Sequence, residues 1–179
     1  MHYALCDFVL DIVQNGIEAG SSLVRLDFDE SEGWYSVTVT DNGKGMTERE
    51  RVKALDPFYT DGVKHAKRKV GLGLPFLVQA VEQAGGDFSL ESEKGSGTKV
   101  AFRFPKDNVD CPPMGDLPGL FQAVLSFSGD HEVEITRRKP GNKAGYEVAR
   151  SELAEAIGDL ERVSSLVMLR DFLSSQEDE

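Results

Sequence analysis

Three short segments carry residue types that chemistry can use: Asp11-Ile12-Val13-Gln14-Asn15, Asp41-Asn42-Gly43-Lys44-Gly45-Met46 and Gly71-Leu72-Gly73-Leu74. Asp11 and Asn15 stand one helical turn apart. An Asn offers a neutral oxygen suited to a hard Mg2+ ion that carries triphosphate oxygens. A carboxylate one turn away can orient or deprotonate a hydroxyl or a water. In the second segment, an Asp at a strand end accepts a hydrogen bond from an exocyclic amine, and the glycines after it let the backbone turn and approach a flat base. Adenine meets both demands. In the third, glycines at a helix start expose backbone N–H groups where the helix dipole adds positive charge, a setting that suits phosphates. Pro75 is tolerated in that first turn.

Each segment also has a plainer reading. Asp7, Asp11, Asn15 and Glu18 share one arc of the helical wheel and fit a solvated polar face, with Leu5, Phe8, Val9, Ile12, Val13 and Ile17 on the rest. Asn42-Gly43 fits a hairpin turn, except that no matching strand follows at hairpin distance and Thr47 starts a helix instead. The third segment is not a dinucleotide fingerprint, because no strand leads directly into it, and no Gly-Lys-Ser/Thr phosphate loop is present.

The elements that must position these residues follow from periodicity. A helix runs to about Ala19. Strands cover Leu23 to Phe28 and Trp34 to Thr40, followed by a short helix opened by Thr47 with Glu50 as its capping-box partner. After a loop, a helix from about Leu72 to Ala84 stops at Gly85-Gly86. Strands Asp87 to Ser92 and Thr98 to Phe104 then flank Lys94-Gly95-Ser96-Gly97. The expected class is α/β, a two-layer sandwich with a largely antiparallel sheet. Residues 106–118, rich in Asp and Pro, read as a linker that closes a first domain over residues 1–105. Residues 119–179 form a small αββα extension of unknown role: a helix over Leu117 to Ser126, a hairpin of Glu132 to Arg137 with Ala144 to Val148, and two helices from Ser151 onward. The extension could extend the sheet or recognise a partner.

The 179 residues suit one domain with a small appendage, and 40% hydrophobic content supports a real core. No apolar run reaches the ~20 residues that span a bilayer, and the amino terminus lacks the basic start and cleavage site of a signal peptide. A soluble, cytoplasmic protein without a membrane role is expected. The net charge of -11 argues against general nucleic-acid binding. A local cationic cluster, Lys64, His65, Lys67, Arg68 and Lys69, is explained by a small anionic ligand. Cys6 and Cys111 lack metal-ligand spacing and read as reduced thiols.

In this order the segments resemble the GHKL ATPase superfamily, which includes gyrase B, the ninety-kilodalton chaperones, histidine kinases and MutL-type repair ATPases. The resemblance covers about Leu5 to Pro105. Asp11 through Asn15 resembles the asparagine box, Asp41 to Met46 the first glycine box, Gly71 to Leu74 the second, and Gly95-Ser96-Gly97-Thr98 the last element. The resemblance implies the Bergerat fold, with ATP and Mg2+ as cofactors under a mobile lid. It also implies Asn15 for Mg2+, Asp41 for the adenine amine and Gly43, Gly45 and Met46 beside the nucleotide. Thr98 would make the second adenine contact, and Gly71, Leu72, Gly73 and Leu74 would face the phosphates. The lid would be Tyr59 to Val70, hinged after Asp56-Pro57-Phe58, with Phe58 and Lys69 in nucleotide contact.

Departures from the family pattern shape the expected activity. A histidine kinase needs a helical hairpin bearing its phosphoacceptor histidine, and only ten residues precede Asp11. Many kinases carry a Lys where this chain has Glu18, which is closer to MutL-like proteins. The family's catalytic carboxylate is usually Glu, so Asp11 is one methylene shorter. The expectation is a weak Mg-dependent ATPase or ATP-driven conformational switch acting on a protein partner, with Asp11 as the catalytic carboxylate. The alternatives are an anti-sigma-factor-like serine/threonine protein kinase or a non-catalytic ATP-sensing module. The layout also resembles small stand-alone ATP-binding proteins of anaerobic bacteria.

In the extension, Arg137-Arg138-Lys139 reads as a solvated turn and His131 as a surface residue. Leu160, Val163, Leu166, Val167 and Leu169 read as core, with pairing of two chains through that face as the other reading.

Overall fold

A computed structural model of the chain describes residues 3–58 and 73–179. The elements run α1 (Leu5–Glu18), β1 (Leu23–Glu30), β2 (Trp34–Asp41), α2 (Glu48–Ala54), α3 (Gly73–Gln83), β3 (Asp87–Glu93) and β4 (Gly97–Pro105). They continue with α4 (Leu117–Leu125), β5 (Glu132–Arg138), β6 (Tyr146–Ala149), α5 (Arg150–Ile157) and α6 (Val163–Asp178). The strands form one sheet in the order β3-β4-β2-β1-β5-β6. Every neighbouring pair is antiparallel except β1 with β5, which is parallel.

Strand side chains alternate between faces, so cross-strand register sorts the sheet into rows. One row on the inner face is Leu90, Val100, Val39, Leu26, Ile135 and Val148, all buried hydrophobic residues. On one side of it lies the row Ser92, Thr98, Asp41, Val24 and Val133. On the other side lies Phe88, Phe102, Val37, Phe28, Arg137 and Tyr146. The apolar arc of α1, with Leu5, Phe8, Val9, Ile12 and Val13 buried, packs onto β1 and β2. Helix α3 packs on β3 and β4, and α4 on β5. The result is the expected two-layer α/β sandwich.

Local signals behave as their chemistry dictates. The Thr47 hydroxyl accepts the Glu50 N–H at 3.2 Å, and the Glu50 carboxylate accepts the Thr47 N–H at 2.8 Å, so the capping box opens α2. Helix α1 has Ala4 at its N-cap, whose own side chain makes no capping bond, while the Asp7 carboxylate accepts the Ala4 N–H at 2.8 Å. Its orphan donors find carbonyls of the Asp- and Pro-rich segment instead: Leu5 N–H to Pro113 O at 2.8 Å and Cys6 N–H to Met114 O at 3.1 Å. The segment after Pro105 thereby seats the helix that carries Asp11 and Asn15.

Residues after 118 extend the same sheet, and their side chains join the same hydrophobic core. Two readings in this region are corrected. Arg137 is 3% exposed, because β5 alternates inward through Val133, Ile135 and Arg137, and Lys139 is also buried. His131 is buried too, its Nε2 without a hydrogen-bond partner among the described residues. Within α6, Leu169 and Leu173 are buried while Val163 and Val167 face outward. Among the described residues, no helix is long and apolar enough to cross a membrane.

Candidate functional site

Where the row Ser92–Thr98–Asp41 meets α1, the inner layer opens into a cavity of ≈ 250 Å³. Helix α1 contributes Ile12, Asn15 and Gly16, and its C-cap Ala19 joins them. The end of β2 and the loop after it contribute Asp41, Lys44, Gly45 and Met46. Ala54, Gly73, Leu74, Thr98 and Val100 complete the lining. Most of this wall is apolar, with a few polar groups placed on it, as small-ligand sites usually are.

Asp41 is held from one side only. Its Oδ1 accepts the Gly43 N–H at 2.8 Å and lies 3.0 Å from Ser21 Oγ, which itself donates to Gly16 O at 2.6 Å. Its Oδ2 has no hydrogen-bond partner among the described residues. The turn after Asp41 depends on missing side chains. A Cβ on Gly43 would sit 2.8 Å from both the Ala19 Cβ and Ser21 Oγ. Gly45 has φ +62, and a Cβ there would lie 1.9 Å from Glu93 O, which excludes any side chain. Asn42 fastens the other side of the turn, its Oδ1 accepting the N–H groups of Ser22 and Leu23 at 2.9 and 3.0 Å.

Thr98 faces the same cavity, paired with Asp41 across β2 and β4 and with Ser92 across β3 and β4. Its Oγ1 lies 2.8 Å from Ser92 Oγ. Ser92 Oγ also accepts the Met46 N–H at 2.9 Å and donates to Gly97 O at 3.0 Å.

Asp11 and Asn15 are both exposed on α1, and neither side chain has a hydrogen-bond partner among the described residues. Desolvation pushes the Asp11 carboxyl above its ordinary value, and the charge of Asp7 adds to this. Gly73 opens α3 against this carboxyl: a Cβ at Gly73 would lie 3.0 Å from Asp11 Oδ2. The catalytic candidate therefore stands where the second glycine segment delivers a helix start.

The cavity thus gathers Asn15, Asp41, Gly45, Met46, Gly73, Leu74 and Thr98. Gly43 stands behind Asp41, and Asp11 beside Gly73. Phe58 is not brought to the cavity and is 91% exposed. Lys69, Gly71, Leu72 and the expected lid, residues 59–70, lie outside the described residues. Sequence reading did not single out Ile12, Gly16 and Ala19, although with Asn15 they fall at i, i+3, i+4 and i+7 on one helix face. Ser21, Ser92 and Lys44 were also missed. Ser92 could have been found by pairing the two strands that flank Lys94-Gly95-Ser96-Gly97, which sets it opposite Thr98.

Residues 3–108 match the family described as histidine kinase-, DNA gyrase B-, and HSP90-like ATPase. The chain belongs to this ATPase family. Its sandwich is accordingly the Bergerat fold. Among curated relatives, sensor histidine kinase RcsC of Salmonella typhimurium is 32% identical over 99 residues, which is 54% of this chain and 10% of RcsC. Sporulation kinase B of Bacillus subtilis is 30% identical over 105 residues, 55% of this chain and 23% of that kinase. Sensor histidine kinase WalK of Bacillus subtilis is 33% identical over 105 residues, 54% of this chain and 17% of WalK. The chain thus spans less than a quarter of the length of these relatives. The catalytic domain of histidine kinase ThkA, solved in a nucleotide-free form, is 24% identical over 56% of this chain and 64% of that one, with a TM-score of 0.43.

Proposed function

We propose that the cavity binds ATP with Mg2+ and that the chain is a slow ATPase or ATP-driven switch acting on a protein partner. The observation that carries this reading is Asp41: a carboxylate with one oxygen fixed by Gly43 and Ser21 and the other unpartnered among the described residues, on the wall of an apolar cavity. An unpaired acceptor there asks for a donor, and the exocyclic amine of adenine supplies one. Ile12, Met46, Leu74 and Val100 would cover the faces of the base. The triphosphate would run toward the start of α3 at Gly73 and Leu74, where free backbone N–H groups favour anions.

The donor set also fits the metal. Among the described residues, no three His, Cys, Asp or Glu side chains converge to hold an ion. Asn15 offers one neutral oxygen, which suits an Mg2+ whose other ligands are phosphate oxygens and water. When bound, Mg2+ neutralises charge on the phosphates. Asn15 would orient that complex. Asp11, its carboxyl made more basic by desolvation and Asp7, would take the proton of the attacking hydroxyl.

The family relationship favours a second acceptor for the γ-phosphate. The relatives named above are kinases, and a protein side chain in place of water would make this chain a phosphotransferase using the same Asp11. Incubation with γ-labelled ATP and a bacterial extract separates the two. Free labelled phosphate alone supports the ATPase, and label on a protein supports transfer. In either case Asp11→Asn should retain ATP affinity and lose turnover by about 10²-fold or more. Unchanged turnover removes Asp11 from the mechanism.

A further inference from the structure

Ser92 does not line the cavity, yet its hydroxyl touches three groups that shape it. A serine hydroxyl has one proton to give and two lone pairs to receive with. Gly97 O, at 3.0 Å, can only accept, so it takes the Ser92 proton. The Met46 N–H, at 2.9 Å, can only donate, so it fills one lone pair. What remains for Thr98 Oγ1, at 2.8 Å, is the second lone pair, so the one assignment that makes all three bonds has Thr98 as the donor. With its only proton spent on Ser92, Thr98 has lone pairs alone to show the cavity. Asp41 Oδ2, the neighbouring group in the same row, is also an acceptor.

We propose that Ser92 is a positioning residue that sets the hydrogen-bond polarity of Thr98, so that the cavity selects 6-aminopurine nucleotides against 6-oxopurine ones. An amino group carries two N–H donors for two acceptors, whereas a 6-oxo group turns lone pairs toward lone pairs. Sites that leave a polar partner unpaired discriminate strongly. The inference rests on the reading of the cavity as an ATP site.

The probes are ATP and ITP, titrated with Mg2+ against the full chain by calorimetry. The wild type should prefer ATP. Ser92→Ala frees the Thr98 proton to turn into the cavity, and the ATP-to-ITP affinity ratio should fall about tenfold, the worth of one net hydrogen bond. Ser92→Thr keeps the hydroxyl and should restore the ratio. In a Thr98→Val background, Ser92→Ala should change the ratio no further, because its effect runs through Thr98.

A merely structural Ser92 would weaken both nucleotides equally, and an unchanged ratio in Ser92→Ala overturns the proposal. If Ser92→Ala fails to fold, Thr98→Val alone decides the matter: a ratio equal to wild type overturns the relay. Failure of the underlying reading looks different, because wild-type protein that binds neither nucleotide removes the ATP site and the relay together.

Discussion

Two charged groups on the inner face of one sheet are treated in opposite ways. Arg137, on β5, is closed in on every side. Its Nη2 donates to Glu30 at 2.7 Å, its Nε to Glu177 at 3.1 Å and its Nη1 to Arg138 O at 2.6 Å, while its guanidinium lies 5.3 Å from the centre of the Phe28 ring. The carboxylates are shared further. Lys106 donates to Glu30 at 2.9 Å, Tyr146 donates to Glu177 at 2.7 Å, and Lys139 holds Gln176 O beside them. Asp41, two rows away on β2, keeps one oxygen unpaired among the described residues, beside a cavity. A buried charge held by two carboxylates and a carbonyl of its own chain belongs to the architecture. One left half-made next to open space is available to a ligand.

Removing each charge should break a different property. Arg137→Met leaves the half-buried carboxylates of Glu30 and Glu177 without their shared partner, Lys106 and Tyr146 staying in place, and the loss should approach the roughly 3 kcal/mol at the lower end for a broken buried pair. Urea unfolding should show that loss, with ATP affinity unchanged in the folded fraction. A loss below about 1 kcal/mol would make the network ornamental and dissolve the contrast.

Asp41→Asn should do the reverse. Its amide oxygen can still accept from Gly43, but an NH2 replaces the free acceptor and meets the adenine amine as donor against donor. ATP affinity should fall about 10- to 100-fold, the range for a hydrogen bond to a charged group. The urea midpoint should move little. Unaltered ATP affinity in this variant would take the adenine role from Asp41.

The same contrast governs what was legible in the sequence. Asp41 was readable because everything that presents it is local: a strand, then Asn42-Gly43-Lys44-Gly45, then a capped helix. Its role needs no distant partner to be guessed. Arg137 was misread as part of a solvated turn because its partners are remote. Glu30 lies 107 residues earlier and Glu177 lies 40 later. They meet only because β5 inserts parallel to β1, a pairing that hydrophobic alternation cannot announce. Ser21 escaped for a milder version of the same reason, since it reaches Asp41 across 20 residues through the β1–β2 pairing. The fold of residues 3–58 followed from periods and caps, whereas the sheet's growth across β5 and β6 followed from tertiary contact.

The smallest expected effect concerns two carboxyls displaced in opposite directions. Burial alone would raise Glu30, but hydrogen bonds and charge from Arg137 and Lys106 outweigh it and hold the group below its ordinary 4.5. A depressed carboxyl stabilises the fold above that unfolded value, and the contribution is lost as pH falls through the folded pKa. Asp11 is raised above 3.8, first by desolvation and then by Asp7, so its ionisation costs stability as pH rises through the window that starts there. As the proposed base it must be ionised to work, and turnover should therefore fall on acidification through that same raised pKa. Asp7→Asn removes the second cause while keeping an oxygen for the Ala4 N–H, which Asp7 accepts at 2.8 Å. The acid limb of kcat/KM should then move to lower pH. Stability should drop by only about 0.3–1 kcal/mol as the α1 start loses a favourable charge. A pH–rate profile of the two proteins checks this. An acid limb that stays in place or moves upward would mean that Asp11 is not the group whose ionisation sets the rate.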